Sequence, residues 1–324
     1  MKACIYGAGA IGGWIGTRLA RAGCEVSVVA RGATLDALQR HGLRLQERDV
    51  TMSAPVHASA SPADLGVQDL VVVAVKAPAM GEVAAAIGPL IGPNTLVLTA
   101  MNGVPWWFFE GFGDRFAGLR LKAIDPDGRI AAAIPARQVI GCVVHASCSL
   151  AQPGMVLHHS GNKLIVGEPA GGTTPRLEAL AALLARAGFE VEVSQQIQKD
   201  TWYKLWGNMT INPVCAFTGA TTDLVLDDEL TRGFISQVML ETREIGARIG
   251  IPIAQMPEDR HQVTRKLGRF KPSMLQDVEA GKPVELDALV AVVRELGVLT
   301  GVATPFTDAL LGLARLHARV RGLY

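Results

Sequence analysis

The sequence predicts an α/β chain in which a domain with a parallel sheet precedes an all-helical domain. Short apolar runs alternate with helical patterns in the first part of the 324 residues, and such alternation is typical of βαβ units. From about Gln196 onward the strand-like runs fade and helical periodicity takes over. We therefore predict two domains, residues 1–195 and 196–324.

Composition and charge narrow the possible functions. The chain carries 31 Lys and Arg against 30 Asp and Glu, a net charge of +1. Since no basic run stands out, we expect no nucleic-acid partner and no anionic membrane surface. The apolar window at residues 70–98 is interrupted by Lys76, Glu82 and several glycines and prolines, so it does not fit a membrane span. The N-terminus has no signal-peptide pattern, and we expect a globular protein with a small-molecule partner.

Cysteine and histidine usage indicates a reducing compartment and no metal site. The five cysteines are scattered, mostly in apolar runs, at no metal-ligand spacing, so we expect reduced core thiols in the cytoplasm. His145, His158 and His159 lack a nearby cysteine or carboxylate pair that would complete a metal shell. We therefore expect no bound metal.

The most informative local motif is the glycine-rich turn GAGAIG at residues 7–12. It follows a short apolar run suited to a buried strand and precedes a helical pattern that ends near Gly23. Gly7 permits a tight turn, Gly9 lets the backbone approach a pyrophosphate, and Gly12 lets the helix pack close to the strand. In this context the motif predicts a Rossmann-type dinucleotide-binding domain. A tight turn that binds no ligand is the alternative.

The residues after this turn indicate which dinucleotide binds. Ala10 and Ile11 begin the helix whose N-terminus would receive the pyrophosphate, so we count them as cofactor-binding. The second strand ends at Arg31, where NAD-binding proteins usually carry Asp or Glu. A guanidinium can clamp a 2′-phosphate, which favours NADP(H). The alternative is that Arg31 merely ends a solvated strand.

Two further strand ends carry polar side chains. The Val-rich run at residues 70–75 is followed by Lys76, and the run at 95–101 is followed by Asn102. In an open parallel sheet, ligands gather beyond the carboxyl ends of the strands. Both residues are therefore candidates to contact cofactor or substrate. The open alternatives are a surface lysine and an ordinary Asn-Gly turn.

An aromatic segment, Trp106 to Phe116, contains six of the 17 aromatic residues of the chain. Such a segment does not fit a solvated loop, so we expect it to be packed. We favour packing against the core of its own domain. A partner face or a wall of a substrate site is the alternative.

In the helical half, Lys204, Asn208 and Asn212 are four residues apart on an otherwise apolar helix. This spacing predicts one polar row, because each step of four residues drifts by only about 40° around a helix. Buried polar groups need partners, and a polar substrate would supply them. The alternative is an exposed row that ends at Asn212, the residue before a proline.

A second polar cluster follows at residues 271–277 and 281–287. Ser273 with Gln276 fits a helix capping box, and Glu285 with Asp287 fits the first turn of the next helix. Structure alone could therefore explain these residues. A role in substrate binding is the other interpretation.

Together these motifs resemble those of the ketopantoate reductases (2-dehydropantoate 2-reductases), from Gly7 to about Thr304. The residues that carry the resemblance are GAGAIG at 7–12, Arg31, Lys76 in VKA, Asn102 in MNG, the row from Lys204 to Asn212, SMLQD at 273–277 and ELD at 285–287. The resemblance implies a Rossmann domain followed by a helical domain, with NADPH and a small 2-oxo acid meeting in the cleft between them.

The resemblance also implies roles for single residues. Lys204 matches the family's general acid, which protonates the carbonyl oxygen, and Glu285 matches the glutamate that engages the substrate hydroxyl. Asn208 and Asn212 match substrate-binding amides, while Ser273 matches the contact to the substrate carboxylate.

Asn102 and Lys76 match residues near the nicotinamide ribose and the substrate. One departure is Gly219-Ala220-Thr221-Thr222, where some members carry a substrate-binding asparagine.

The function that this resemblance implies is the NADPH-dependent reduction of 2-dehydropantoate to pantoate, a step in pantothenate and coenzyme A biosynthesis. Two alternatives stay open: reduction of another small 2-oxo acid, and an NADPH-binding module without catalysis. A homodimer is possible if the aromatic segment is exposed.

Overall fold

A computed structural model describes residues 1–113 and 115–324, which form two compact units. The first, here the N-terminal unit, comprises Met1–Met101 and Gly128–Ile197. The second, here the helical unit, comprises Asn102–Asp127 and Gln198–Tyr324. The aromatic segment therefore belongs to the helical unit, although it lies far from the rest of that unit in sequence.

The N-terminal unit is built on one sheet, which has ten strands in the described part of the chain. The strands are β1 Lys2–Tyr6, β2 Glu25–Val29, β3 Leu43–Glu47, β4 Val50–Ala54, β5 His57–Ser59, β6 Leu70–Val73, β7 Leu96–Thr99, β8 Val139–Gln152, β9 Met155–Gly167 and β10 Glu190–Val193. Six of them run parallel in the spatial order β5-β2-β1-β6-β7-β8. This is the strand order of a Rossmann fold, so the predicted α/β class is confirmed.

The remaining strands extend the sheet beyond β8. Strand β9 returns antiparallel to β8 as a long hairpin, and β3 pairs parallel with β9. Strand β4 then pairs antiparallel with β3, and β10 pairs parallel with β9. The sequence carries apolar runs only at the inner ends of β8 and β9, because their outer halves are polar and half-exposed. It did not predict the β3–β4 hairpin.

Helices cover this sheet. In chain order they are α1 Ala10–Arg21, α2 Gly32–His41, α3 Met80–Ala86, α4 Arg129–Ala133 and α5 Pro175–Arg186. Helix α1 is the best buried, since Trp14, Ile15 and Leu19 have no exposed surface. These residues join the Val- and Leu-rich strands in the apolar core of the unit.

The turn between β1 and α1 is dictated by its glycines. Gly7 has φ +99°, which side chains disfavour. A Cβ added at Gly12 would lie 2.0 Å from the Gly7 carbonyl oxygen, so the helix packs against the turn at a distance that only glycine allows. A Cβ added at Gly9 would meet no atom within 4 Å.

The helical unit is organised around one long helix. Its helices are α6 Ile197–Thr218, α7 Thr222–Asp227, α8 Glu229–Arg248, α9 Pro257–Arg265, α10 Ser273–Glu279, α11 Val292–Thr300 and α12 Pro305–Val320, with a π-helical turn at Asp287–Ala291 before α11. Helix α6 buries Trp202 and Trp206 completely. The Trp206 indole donates to the Met239 carbonyl of α8 at 2.8 Å.

The aromatic segment packs into this helical core. Phe108 and Phe109 are buried, and their ring centroids lie 5.4 Å apart in an edge-on arrangement. Phe108 also lies 6.0 Å from the ring of Trp202 in α6. The expected packing is confirmed, but the core is that of the helical unit. Since most of these rings are buried, they do not form the exposed patch that was the condition for a possible homodimer.

All five cysteines lie in the described residues and none forms a disulfide. Four are buried and Cys148 is half-buried. Burial raises the pKa of the Cys4 thiol to about 11 and that of Cys215 to about 12, so these thiols stay protonated at neutral pH. No helix in the described ranges combines the length and the apolar character that a bilayer span needs.

The glycine geometry predicts different effects for two neighbouring substitutions. Gly12→Ala places a methyl group on backbone atoms, so it should lower the free energy of unfolding by about 2 kcal/mol or more. Gly9→Ala enters open space at φ −75°, so it should change stability by less than about 1 kcal/mol. Urea denaturation followed by circular dichroism measures both. Equal stability of the two variants would contradict the packing described for Gly12.

Candidate active site

The N-terminus of α1 has the features of an anion-binding site. Its N-cap is Gly9, no side chain caps it, and its first turn has no acidic residue. Gly13 is the first residue of the helix to donate to a carbonyl, that of Gly9, at 2.8 Å. The N–H groups of Ala10, Ile11 and Gly12 therefore have no acceptor within the helix. With open space over Gly9, this helix end fits a pyrophosphate.

A pocket of about 550 Å³ opens at this helix end and is lined by N-terminal-unit residues. Gly7 and Gly9 line one part of it, and Arg31, Thr34 and Glu82 line another. Its volume is in the range of cofactor and ligand sites. The glycine turn and Arg31, which the sequence assigned to one cofactor, thus face the same pocket.

Arg31 is the N-cap residue of α2 and its side chain is largely exposed. Its guanidinium pairs with the carboxylate of Glu82 at 2.9 Å, and both side chains remain about 70% exposed. An exposed pair of this kind is weak. Glu82 was missed in the sequence because it lies 51 residues from Arg31 on the short helix α3, and no local pattern links the two.

Lys76 and Asn102 lie at different places in the fold. Lys76 follows Val75, a pocket-lining residue, and its carbonyl accepts from Ala79 N at 2.9 Å. Within the described chain, the lining of the pocket does not include Lys76 or Asn102. Asn102 is the first residue of the helical unit.

Asn102 lies close in sequence to a contact with the π-helical turn. The next residue, Gly103, has φ +85°, and a Cβ there would lie 2.5 Å from the Ala288 carbonyl oxygen. Val104 N donates to the same oxygen at 2.9 Å. Glu285 lies three residues before Ala288. The structure therefore brings the Asn102 turn against the segment that follows Glu285.

The polar row on α6 is present as predicted. Lys204 and Asn208 are half-buried and Asn212 is buried, so the row is not an exposed face. The helix continues through Pro213 to Thr218. The alternative in which Asn212 ends the helix is therefore wrong, because the apolar surroundings hold the helix together across the missing proline N–H.

Ser273 differs from its structural explanation, whereas the segment at residues 285–287 does begin the next helical stretch, with Asp287 in its first turn. Pro272 is the N-cap of α10 and makes no side-chain cap bond, while Ser273 is the first helical residue. The Gln276 amide donates to the Lys271 carbonyl at 2.8 Å. The predicted capping box is thus absent at Ser273. Glu285 is 4% exposed and precedes the π-helical turn, where its carbonyl accepts from Leu289 N at 3.2 Å.

These side chains all belong to the helical unit. An ammonium, three amides, a hydroxyl and a buried carboxylate can together bind a small anion that also carries a carbonyl and a hydroxyl group. The lysine can donate a proton to an oxygen that becomes negative. The N-terminal unit supplies a separate pocket for a dinucleotide.

Comparison with known proteins agrees with this division. The model of the family described as "Ketopantoate reductase PanE/ApbA" matches residues 3–171, and that of its C-terminal domain matches residues 196–318. A 2-dehydropantoate 2-reductase of Mesorhizobium japonicum is 43% identical over 325 aligned residues, and the alignment covers 100% of each chain.

Solved structures show the same relationship. A protein of Ralstonia solanacearum MolK2, assigned to the ketopantoate reductases, is 59% identical with a TM-score of 0.96, over 99% of each chain. The 2-dehydropantoate 2-reductase of Geobacter metallireducens GS-15 is 28% identical with a TM-score of 0.84, over 98% of this chain and 99% of that one. The chain therefore belongs to the ketopantoate reductase family.

Proposed function

We propose that this protein reduces 2-dehydropantoate to pantoate with NADPH, in the pathway to pantothenate and coenzyme A. The observation that carries the proposal is the polar row Lys204, Asn208 and Asn212 within the mostly apolar stretch 202–213 of helix α6. The relatives of this chain that are named 2-dehydropantoate 2-reductase support the choice of substrate.

In the proposed reaction, Lys204 acts as the general acid. As the carbonyl carbon accepts a hydride, the oxygen becomes negative and takes a proton from Lys204 Nζ, so C=O becomes CH–OH. The lysine then regains a proton from solvent. Its positive charge also stabilises the developing alkoxide, which adds to the effect of proton donation.

The remaining side chains hold the substrate. Asn208 and Asn212 offer amide donors and acceptors along the same row, and Ser273 offers a hydroxyl to the carboxylate. Glu285 accepts a hydrogen bond from the substrate hydroxyl, and Asn102 contacts the substrate near the nicotinamide ribose.

We assign the cofactor to the pocket of the N-terminal unit. Gly7, Gly9, Ala10, Ile11 and Gly12 would hold the pyrophosphate, and Lys76 lies at the neighbouring strand end. When bound, a nicotinamide dinucleotide supplies the hydride. Arg31 favours the 2′-phosphate form, because a doubly charged phosphate can replace the exposed Glu82 carboxylate as its partner.

The two proposed domains follow one another along the chain. Residues 1–195 form the dinucleotide-binding domain and residues 196–324 the substrate domain, with the segment Asn102–Asp127 packed in the helical unit. We propose a cytoplasmic location, because the cysteines are unbridged and mostly buried.

Reduction of another small 2-oxo acid is the second candidate, and one observation favours it. Where some family members carry an asparagine, this chain has Thr221 and Thr222. The Thr221 hydroxyl donates to Asp223 at 2.5 Å, and the Thr222 hydroxyl donates to the Gly268 carbonyl at 2.8 Å. Both hydroxyls thus make hydrogen bonds within the protein. A 2-oxo acid that does not need the amide of an asparagine at this position would bind as well as 2-dehydropantoate.

Replacing the proposed general acid tests the proposal. Lys204→Ala should lower kcat with 2-dehydropantoate by about 10² to 10⁴-fold, while the Kd for NADPH, measured by fluorescence titration, stays within about twofold. Lys199→Ala is the matched control, since Lys199 lies exposed on the same helix. A Lys204→Ala variant that keeps its turnover would refute the role of this lysine.

Cofactor choice is tested at Arg31. Arg31→Asp should raise the KM for NADPH by about tenfold to a hundredfold, because the 2′-phosphate loses a charged hydrogen-bond donor, and it should change the KM for NADH much less. Arg40→Asp, an exposed arginine of α2, makes the same charge change away from the pocket. If Arg31→Asp affects both cofactors equally, the assignment of NADPH to this residue fails.

A further inference from the structure

Arg260 of α9 packs directly on helix α6. Its guanidinium carbon lies 5.3 Å from the ring centroid of Tyr203. A Cβ added at Gly207 would lie 2.5 Å from Arg260 Nε and 3.0 Å from its guanidinium carbon. A glycine inside a helix lowers the stability of the helix by roughly 1 kcal/mol relative to alanine. Here the missing side chain leaves room for the arginine.

This guanidinium packs on the Tyr203 ring but makes no hydrogen bond with the described residues. Arg260 Nε is buried without a hydrogen bond, and the Arg260 side chain takes part in none of the ion pairs between described residues. Other arginines near it are paired: Arg265 of the same helix binds Asp227 at 2.7 Å, and Arg243 of α8 donates to the Ile253 carbonyl at 2.8 Å. A buried N–H group without an acceptor is costly, and the Arg260 guanidinium has no carboxylate partner among the described residues, so an anionic ligand is expected at Arg260.

The position of Arg260 identifies that anion. Gly207 follows Lys204 by three residues and precedes Asn208 directly, and helix positions three apart have Cβ atoms about 5–6 Å from each other. The guanidinium contacts Tyr203 and Gly207, each of which directly precedes a member of the row, so it covers a face of α6 that lies about 100° around the helix from the row. A carboxylate bound between the two cationic side chains would be attracted by both.

We propose that Arg260 binds the carboxylate of the substrate and so selects 2-oxo acids over neutral ketones. This inference rests on the proposed function and names a specificity residue for it. A guanidinium can bind both carboxylate oxygens at once, which leaves lone pairs for Ser273. In a 2-oxo acid the carboxylate carbon is bonded to the keto carbon. Anchoring the carboxylate at Arg260 therefore places the keto oxygen beside Lys204.

The kinetic test compares Arg260→Gln and Arg260→Lys with Lys266→Gln, which removes an exposed cation just after α9. Arg260→Gln should raise the KM for 2-dehydropantoate by about tenfold to a hundredfold, with kcat and the KM for NADPH changed less than about threefold. Arg260→Lys should recover part of the loss, and Lys266→Gln should behave as the unchanged protein. An unaltered KM in Arg260→Gln would overturn the proposal.

Two further arms separate a binding role from a structural one. Gly207→Ala displaces the guanidinium without removing it, and it should raise the KM for the acid in the same direction. The neutral lactone of 2-dehydropantoate has no carboxylate, so Arg260→Gln should leave kcat/KM for this compound within about threefold. An equal loss for acid and lactone would show that Arg260 only maintains the fold, against the proposal.

Oxamate, a planar analogue of a 2-oxo acid, distinguishes failure of this inference from failure of the proposed function. With NADPH present, oxamate should raise the Tm of the unchanged protein and of Lys266→Gln, but not that of Arg260→Gln. If this pattern holds while 2-dehydropantoate is not reduced, the proposed substrate is wrong and the carboxylate site stands. Equal shifts in all three proteins, or none in the unchanged protein, contradict the site.

Discussion

The burial of a polar row on helix α6 is the constraint on which the account of the helical unit depends. The helix is held by Trp202 and Trp206, which have no exposed surface, so its orientation within the unit is fixed by tight packing. Lys204 and Asn208 are consequently held half-buried and Asn212 buried. Buried polar side chains cost free energy unless they have hydrogen-bond partners. A polar ligand can supply such partners. Ser273, Glu285 and the Asn102 turn belong to the same unit and supply complementary groups.

The N-terminal unit depends on the close approach of helix α1 to the backbone of the turn that precedes it. Glycine at residue 12 lets α1 pack on the β1 turn, and the uncapped N-terminus of α1 then points its donors at open space over Gly9. The cationic Arg31 and the acidic Glu82 share the pocket at this helix end. The near-neutral net charge, +1 over the whole chain, thus gives no indication of where the cationic side chains Arg31, Lys204 and Arg260 lie.

Features that depend on short stretches of chain could be predicted from the sequence, and features that depend on distant contacts could not. The glycine turn, the strand after it and the α6 row follow from local spacing, and the structure shows each of them. Ser273 was predicted to cap a helix, yet tertiary packing starts α10 at this residue with Pro272 as N-cap. The partnership of Arg31 with Glu82 and that of Arg260 with Gly207 join elements about 50 residues apart, so neither has a local pattern. The burial of the aromatic segment could also be predicted from the sequence. The unit whose core it joins could not, because that depends on distant contacts.

Steady-state oxidation of NADPH by the purified protein with a panel of small 2-oxo acids tests the proposed reaction directly. The proposed site predicts the highest kcat/KM for 2-dehydropantoate, because this acid combines a carboxylate and a keto group with the hydroxyl proposed to bind Glu285. Preference for another 2-oxo acid would keep the chemistry and change the substrate. Absence of NADPH oxidation with every acid, in a protein that binds NADPH, would contradict the claim that the α6 row performs catalysis.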